Sequence, residues 1–568
     1  MAYTPKWREH EKFYLTEPGD ESCYEYMLSC YERFYEDIGE YDAFVVPVAN
    51  VESSTPMKKF IEDIESFAAF INAKGFKKGD VFTVFLPTCA HAAVAFYAFN
   101  KLGIIVNFVH PLTPPAALEE IIEVTKSKGI LMLDLFASAY ESVLQKHFSV
   151  ICSTSDYCDG TALQYALYNE AQNAKVPALD TITRYKEAIS MELPKAETVK
   201  NPGKEDAFYM HGGGTTGKSK TIRLSSYCFN GLAYKYFMID PKHDIKTAHC
   251  IAALPCFHAY GLIAGIHYAI SNCYKPIMMP KFDPRQANEL IKKYNIAEIL
   301  GVPKMFQKMM EEDNFDNEGL KNMLVASAGG DVVPDSVIDK FDSYMEKYGS
   351  PARLGRGYGL TENCGAATSN NGTGGTPYKK ESTGYPMYGI TLQIWDDNAK
   401  EVPAGTVGEV CVTSDIIMNG YLPDGIIIDS GLYYDDNGTP WIRTGDMGYL
   451  DEDGFLFFAG RKKRIIIIAG YNIYPATIEE KIDELPYISE VCAVQGYDSE
   501  TGKPLVKLCV SLTDKDADKN EAIEKLKVFC KENLESYACP RKYEVLDLLP
   551  RTKMEKIDFI KLSDPIPQ

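Results

Sequence analysis

The sequence predicts an α/β protein with a large N-terminal domain of α/β sheets and a small β-barrel-like part, followed by a small α+β C-terminal domain. Three observations carry this. Helical stretches alternate with short, near-continuously apolar strands from about residue 57 to 348, as in parallel sheets covered on both faces. From about 376 to 460 the texture changes to short strands spaced by Gly, Pro, Asp and Asn. At Gly460-Arg461-Lys462-Lys463-Arg464 a basic cluster interrupts an acidic chain and marks the boundary between domains 1–461 and 462–568. A chain of 568 residues also exceeds what one core supports.

In chain order, residues 1–45 are rich in Tyr and Glu and are expected to form helices packed on the main body. Residues 57–75 place Phe60, Ile61, Ile64, Phe67, Phe70 and Ile71 at helical spacing, and Gly75 is a natural C-terminal stop. A strand over 81–85, a helix over 91–101, a strand over 103–108, a helix over 116–126 and a strand over 129–133 set up a βαβ rhythm. Residues 155–205 are more polar and irregular. Strands over 249–254, 297–300 and 323–328 then alternate with helices over 283–294, 303–311 and 334–348. The β-rich part holds short strands such as 391–395, 408–412 and 455–459. The C-terminal domain reads as strand 465–468, helix 475–484 with Pro early where it is tolerated, strands 490–494 and 505–512, and helix 520–534. In that last helix Ile523, Leu526, Cys530 and Leu534 share one stripe.

The most informative stretch is Gly212-Gly213-Gly214-Thr215-Thr216-Gly217-Lys218-Ser219-Lys220, with four glycines, three hydroxyls and two lysines in nine residues. Glycine allows close backbone approach to a ligand, successive N–H groups form an anion-binding concavity, and lysine adds a point charge. That chemistry suits polyphosphate. The string from Gly212 to Ser219 also fits the P-loop pattern of an ATPase or kinase that forms ADP. A P-loop must open a helix, however, and 221–225 alternates and begins with β-branched residues, as a strand does. The loop is therefore expected to join a hairpin.

A net charge of −20 argues against nucleic acid or an anionic membrane as the main partner. The most apolar runs, 92–99 and 262–270, are too short for a membrane span, which needs about 20 residues. Fifteen scattered cysteines with no C-x-x-C pair read as free thiols of a reducing compartment. The first residues lack the apolar core of a signal peptide, and a cytoplasmic location is expected.

Six motifs in this order resemble the adenylate-forming superfamily, which comprises acyl-CoA synthetases, beetle luciferases and the adenylation domains of peptide synthetases. They are the glycine loop, Pro255-Cys256-Phe257-His258-Ala259-Tyr260-Gly261, Tyr358-Gly359-Leu360-Thr361-Glu362, Arg443-Thr444-Gly445-Asp446, the junction from Gly460 to Pro475, and Leu549-Pro550-Arg551-Thr552-Lys553-Met554-Glu555-Lys556. The resemblance spans about 45 to 560. It implies ATP-dependent activation of a carboxylic acid, fatty or aryl, to acyl-AMP with release of pyrophosphate, followed by thioester formation with coenzyme A. It also implies that the C-terminal domain is mobile and rotates between the two steps. ATP, Mg²⁺ and coenzyme A are the implied cofactors. A stand-alone enzyme loading a carrier protein is the alternative, a non-catalytic nucleotide binder is another, and a homodimer is compatible with the resemblance.

Carried over by residue, the resemblance implies that Thr215, Thr216, Gly217 and Lys218 hold the β- and γ-phosphates. Ala328, Gly329 and Gly330 lie along the adenine, with Tyr358 of the Gly357-Tyr358-Gly359 segment stacked on the ring. Thr361 contacts the α-phosphate, and Glu362 ligates Mg²⁺ as a hard carboxylate donor. Asp446 accepts from both ribose hydroxyls. Arg461 contacts ribose and phosphate, and Lys463 is the hinge. Lys556 stabilises charge on the α-phosphate and orients the carboxylate, and His258 lies beside the acyl carboxylate. Four positions depart from the family pattern: Gly212-Gly213 replaces Thr-Ser, Ser219 replaces Pro, and Glu555 replaces Gly.

Overall fold

A computed structural model describes residues 14–200, 203–212, 220–373, 376–422, 431–468, 471–499, 501–535, 538–551 and 557–565. Two large sheets dominate. The first has eight strands in the order Gly420–Tyr421, Lys220–Ser225, Asp206–Gly212, Ile105–Phe108, Val81–Phe85, Ser127–Leu133, Phe148–Cys152 and Ile182–Arg184. The six strands from Asp206–Gly212 onward run parallel. The second has seven strands in the order Leu354–Gly357, Val325–Gly329, Ile296–Gly301, His249–Ala252, Lys275–Met278, Asp42–Val48 and Val51–Pro56, parallel except for the last. Helix Ala90–Lys101 is buried along its whole length, in a core that takes side chains from both sheets, such as Phe82, Phe208, Cys250 and Met278. A helix that is apolar on most of its surface belongs in an interior of this kind.

Lys220–Ser225 pairs antiparallel with Asp206–Gly212, with Gly212 opposite Lys220. The glycine loop thus joins a hairpin, and the next helix, Ser226–Ile239, begins only after the second strand. Among the described residues no helix opens directly after the loop, as a P-loop would require. Residues 213–219 themselves lie outside the described residues.

The β-rich part is a five-stranded antiparallel sheet of Ile390–Trp395, Gly408–Ser414, Tyr433–Tyr434, Pro440–Leu450 and Leu456–Arg461. A 3₁₀ turn, Lys462–Arg464, then leads into the C-terminal unit. There Ile488–Tyr497, Pro504–Leu512 and Lys542–Val545 form a sheet under helices Pro475–Asp483 and Lys519–Asn533. Ile478, Ile482, Ala493, Leu508, Leu526 and Cys530 form its separate core.

Two stretches differ from the sequence reading. The N-terminal segment holds helix Cys23–Ile38, but 42–56 is a hairpin whose first strand joins Lys275–Met278, a partner more than 200 residues away in the chain. Residues 155–205 are less irregular than their polarity suggests. They contain helices Gly160–Asn173 and Tyr185–Ser190 and edge strand Ile182–Arg184. Fully buried Tyr185, whose ring lies 5.3 Å from Phe67 and 4.7 Å from His91, pins this segment to the core. One large aromatic anchor leaves no periodic trace.

Candidate active site

Three of the segments singled out from the sequence converge because four neighbouring parallel strands end together. His249–Ala252, Ile296–Gly301, Val325–Gly329 and Leu354–Gly357 are adjacent in the second sheet. Their carboxyl ends carry His258, Leu300, the Ala328-Gly329-Gly330 segment and Tyr358. In open α/β sheets the crevice outside these ends is where ligands bind. Gly329 stands opposite Gly357 in the ladder, and Gly330 has φ +81°, a conformation that favours glycine.

Tyr358, Asp446 and Arg461 meet directly. The Tyr358 hydroxyl donates to Asp446 Oδ2 at 2.7 Å, and Arg461 Nε lies 2.8 Å from Oδ1. Asp446 is 1% exposed, whereas the Arg461 side chain is 54% exposed. The two are cross-strand partners of Pro440–Leu450 and Leu456–Arg461. Burial, and then the Asp446 charge, push the Tyr358 phenol well up, so it stays a donor. The Asp446 backbone N–H donates to Thr444 Oγ1 at 3.0 Å, whose own hydroxyl donates to the Val410 carbonyl at 2.7 Å. A carboxylate oxygen can accept more than one hydrogen bond, so Asp446 keeps capacity for a vicinal diol.

Thr361 and Glu362 open a short 3₁₀ turn, Thr361–Asn363. The Glu362 carboxylate accepts from the Tyr421 hydroxyl at 2.9 Å, and its backbone carbonyl accepts from Met418 N–H at 2.8 Å. Lys220 Nζ lies 4.2 Å from the centre of the Tyr421 ring. Tyr421 therefore links the end of the glycine loop to Glu362. Among the described residues no group of three His, Cys, Asp or Glu side chains could hold a metal by itself. Half-buried Glu362, next to Thr361 in the chain, instead offers hard oxygen donors, suited to Mg²⁺ that shares its ligands with phosphates.

Gly359 sets this turn. A Cβ there would lie 2.2 Å from the Gly365 carbonyl oxygen and 2.7 Å from Ala366 Cα. Gly359→Ala is expected to cost about 1–3 kcal/mol as overpacking against backbone, seen as a lower thermal midpoint together with weaker nucleotide binding. An unchanged midpoint would mean that the turn relaxes freely.

His258 caps the short helix Ala259–Leu262 and is half-buried, its ring 4.9 Å from that of Phe257. Behind it a π-helical turn, Ile263–His267, widens the helix. Lys463 is exposed in the 3₁₀ turn after Arg461. Thr215, Thr216, Gly217, Lys218 and Lys556 lie outside the described residues, as does Glu555.

Sequence reasoning missed Tyr421 and Glu409. Glu409 is 5% exposed and accepts from Arg443 Nη2 at 2.5 Å and Nε at 3.1 Å, from Gly445 N–H at 3.1 Å and from Lys462 Nζ at 3.4 Å. It braces both the turn that carries Asp446 and the junction. The one available signal was Arg443 itself, which needs a counter-charge. Its partner sits on a different strand, 34 residues away.

Comparison with known proteins places these features in a family. The sequence model described as AMP-binding enzyme matches residues 53–422, and that of the AMP-binding enzyme C-terminal domain matches residues 477–556. A long-chain-fatty-acid–CoA ligase of Bacillus subtilis (strain 168) is 29% identical over 513 residues, covering 88% of this chain and 87% of its own. The fold is that of an anthranilate CoA ligase solved in complex with anthranoyl-AMP, with a TM-score of 0.79 at 18% identity over 96% of this chain and 97% of that one. It is also that of an O-succinylbenzoate coenzyme A synthetase from Bacillus subtilis, solved in complex with ATP and magnesium ion. The TM-score there is 0.72 at 20% identity, over 94% of this chain and 98% of that one.

Proposed function

The chain belongs to the AMP-binding enzyme family, and from that premise we propose that it is an AMP-forming carboxylate–CoA ligase acting on a fatty or aryl acid. The observation that carries this reading is the Tyr358–Asp446–Arg461 cluster beside the carboxyl ends of parallel strands. Asp446 accepts from the ribose hydroxyls, and Tyr358 stacks on the adenine laid along Ala328, Gly329 and Gly330, with Gly359 keeping the turn tight. Thr215, Thr216, Gly217 and Lys218 cradle the β- and γ-phosphates, and Thr361 bonds the α-phosphate. Glu362 would hold Mg²⁺, which would supply charge neutralisation for the departing pyrophosphate.

A carboxylate oxygen of the acid attacks the α-phosphorus. The bond to the bridging oxygen breaks, and pyrophosphate leaves with that electron pair. Lys556 stabilises the charge on the α-phosphate while His258 borders the acyl carboxylate. The coenzyme A thiol then loses its proton to solvent, its sulfur attacks the acyl carbon, and the bond from that carbon to the phosphate oxygen breaks as AMP leaves with the electron pair. We place the domain boundary between Arg461 and Lys462, with Lys463 as the hinge. Fifteen cysteines, none in a disulfide and all but Cys158 and Cys539 buried, support a reducing cytoplasmic setting.

The test is product analysis of ATP with a panel of fatty and aryl acids, with and without coenzyme A. Acid-dependent AMP and pyrophosphate, with turnover that needs coenzyme A, is the expected result. ADP would overturn the reading, and acyl-AMP that stalls with coenzyme A would point to a carrier protein. Lys556→Ala is expected to slow acyl-AMP formation on the order of 10²-fold, the scale of losing one preorganised donor. Thioester formation from supplied acyl-AMP should be nearly unaffected. Equal loss in both half-reactions would assign Lys556 a different role.

A further inference from the structure

Glu298 lies at the middle of Ile296–Gly301, a central strand buried at every residue. It is 4% exposed. Two positions on, Leu300 points to the same face of the sheet. Both line a cavity of about 10 Å³, shared with Cys250, Ala252, Ala264 and Gly265. That is room for roughly one water-sized group. Apart from Glu298 the lining is apolar or thiol.

The carboxyl has no hydrogen-bond or ion-pair partner among the described residues. Of the neighbouring tyrosines, Tyr274 donates its hydroxyl to Asp240 at 2.9 Å. Burial, and then the Asp240 charge, push the Glu298 carboxyl well above its usual range.

The cavity adjoins the proposed acyl site. Ala264 and Leu300 form one cluster with Val325, against which Tyr236 and Tyr260 pack. Tyr260 is two residues from His258, and its ring lies 3.6 Å from where a Gly329 Cβ would be. Ala264 and Gly265 belong to the π-helical turn, where a Gly265 Cβ would come within 3.2 Å of the Ala252 Cβ.

We propose that Glu298 is a specificity-determining residue that hydrogen-bonds a hydroxyl on the far end of the substrate's acyl group, so that the enzyme prefers hydroxylated carboxylic acids to their unsubstituted counterparts. This inference rests on the carboxylate-activation reading. The cavity accepts one oxygen-sized group, and among the described residues Glu298 supplies the only carboxyl that lines it. A site built to bond a hydroxyl discriminates strongly against the analogue that lacks it, because its own polar group is then left unpaired.

The experiment is acid-dependent ATP–pyrophosphate exchange with matched pairs: benzoate against 3- and 4-hydroxybenzoate, and octanoate, dodecanoate and hexadecanoate against their terminal hydroxy forms. In at least one pair the wild type is expected to favour the hydroxylated acid by about tenfold or more in kcat/KM. Glu298→Leu should reverse that preference, and Glu298→Gln should keep it. The ratio within a pair does not depend on the fraction of folded enzyme, so a purely structural role would leave it unmoved. A wild type that favours the unsubstituted acid in every pair overturns the proposal. So does a Glu298→Leu variant with unchanged ratios, the result expected if the cavity holds only a water. If Glu298→Leu does not fold, the wild-type ratios decide alone. Exchange with no acid at all would remove the carboxylate-activation reading and this inference with it.

Discussion

Replacing Asp446 by Ala is expected to lower kcat/KM for ATP by about 10²–10⁴-fold. Two hydrogen bonds from ribose hydroxyls to a carboxylate contribute about 1.5–3 kcal/mol each, and 1.36 kcal/mol is tenfold in rate. The truncation also strips the Tyr358 hydroxyl and the Arg461 guanidinium of a shared acceptor, so part of the loss could come through stability. Asp446→Asn separates the two effects. Its amide oxygen can still accept from Tyr358, which sits 2.7 Å from the present carboxylate. It should keep most of the thermal midpoint while losing one ribose bond and the pairing with Arg461. The check is ATP–pyrophosphate exchange on both variants beside their melting curves. A folded Asp446→Ala enzyme within tenfold of the wild type would remove this carboxylate from the ribose.

Glu362→Ala should slow acyl-AMP formation on the order of 10³-fold, since charge neutralisation by a bound metal supplies several kcal/mol. The loss should appear chiefly as a raised Mg²⁺ requirement. The structure favours this carboxylate because Tyr421 already orients it through a 2.9 Å hydrogen bond, so little ordering remains to be done when Mg²⁺ arrives. A Mg²⁺ titration of the variant is the measurement. A Mg²⁺ dependence that overlays the wild type would make Glu362 a structural partner of Tyr421 only.

The motifs that build the site were legible because each is local. The Arg443-Thr444-Gly445-Asp446 turn and the Tyr358-Gly359-Leu360-Thr361-Glu362 segment each carry backbone demands and chemistry within a few residues. The hairpin nature of the glycine loop was legible too, since β-branched alternation after Lys220 cannot open a helix. Tyr421, Glu409 and Glu298 were not. Tyr421 is a lone aromatic beside a Gly, Glu409 stands in a strand with no motif around it, and Glu298 interrupts a short apolar run. Each acquires its role from a partner 34 or more residues away in the chain or, for Glu298, from the lack of one. Helix Tyr185–Ser190 and the hairpin over 42–56 were missed for the same reason, because long-range packing outweighs local polarity there.

By itself the sequence determined the α/β class, the change of texture before the junction, the hairpin around the glycine loop and the chemistry available for binding a nucleotide. These follow from periodicity and residue type, which act over a few positions. Only the tertiary structure decided that four neighbouring parallel strands end together, that Asp446 is buried between Tyr358 and Arg461, and that an acid with no partner among the described residues stands over a water-sized cavity. Those facts depend on strand order and register, and the pairings that set them join residues hundreds of positions apart.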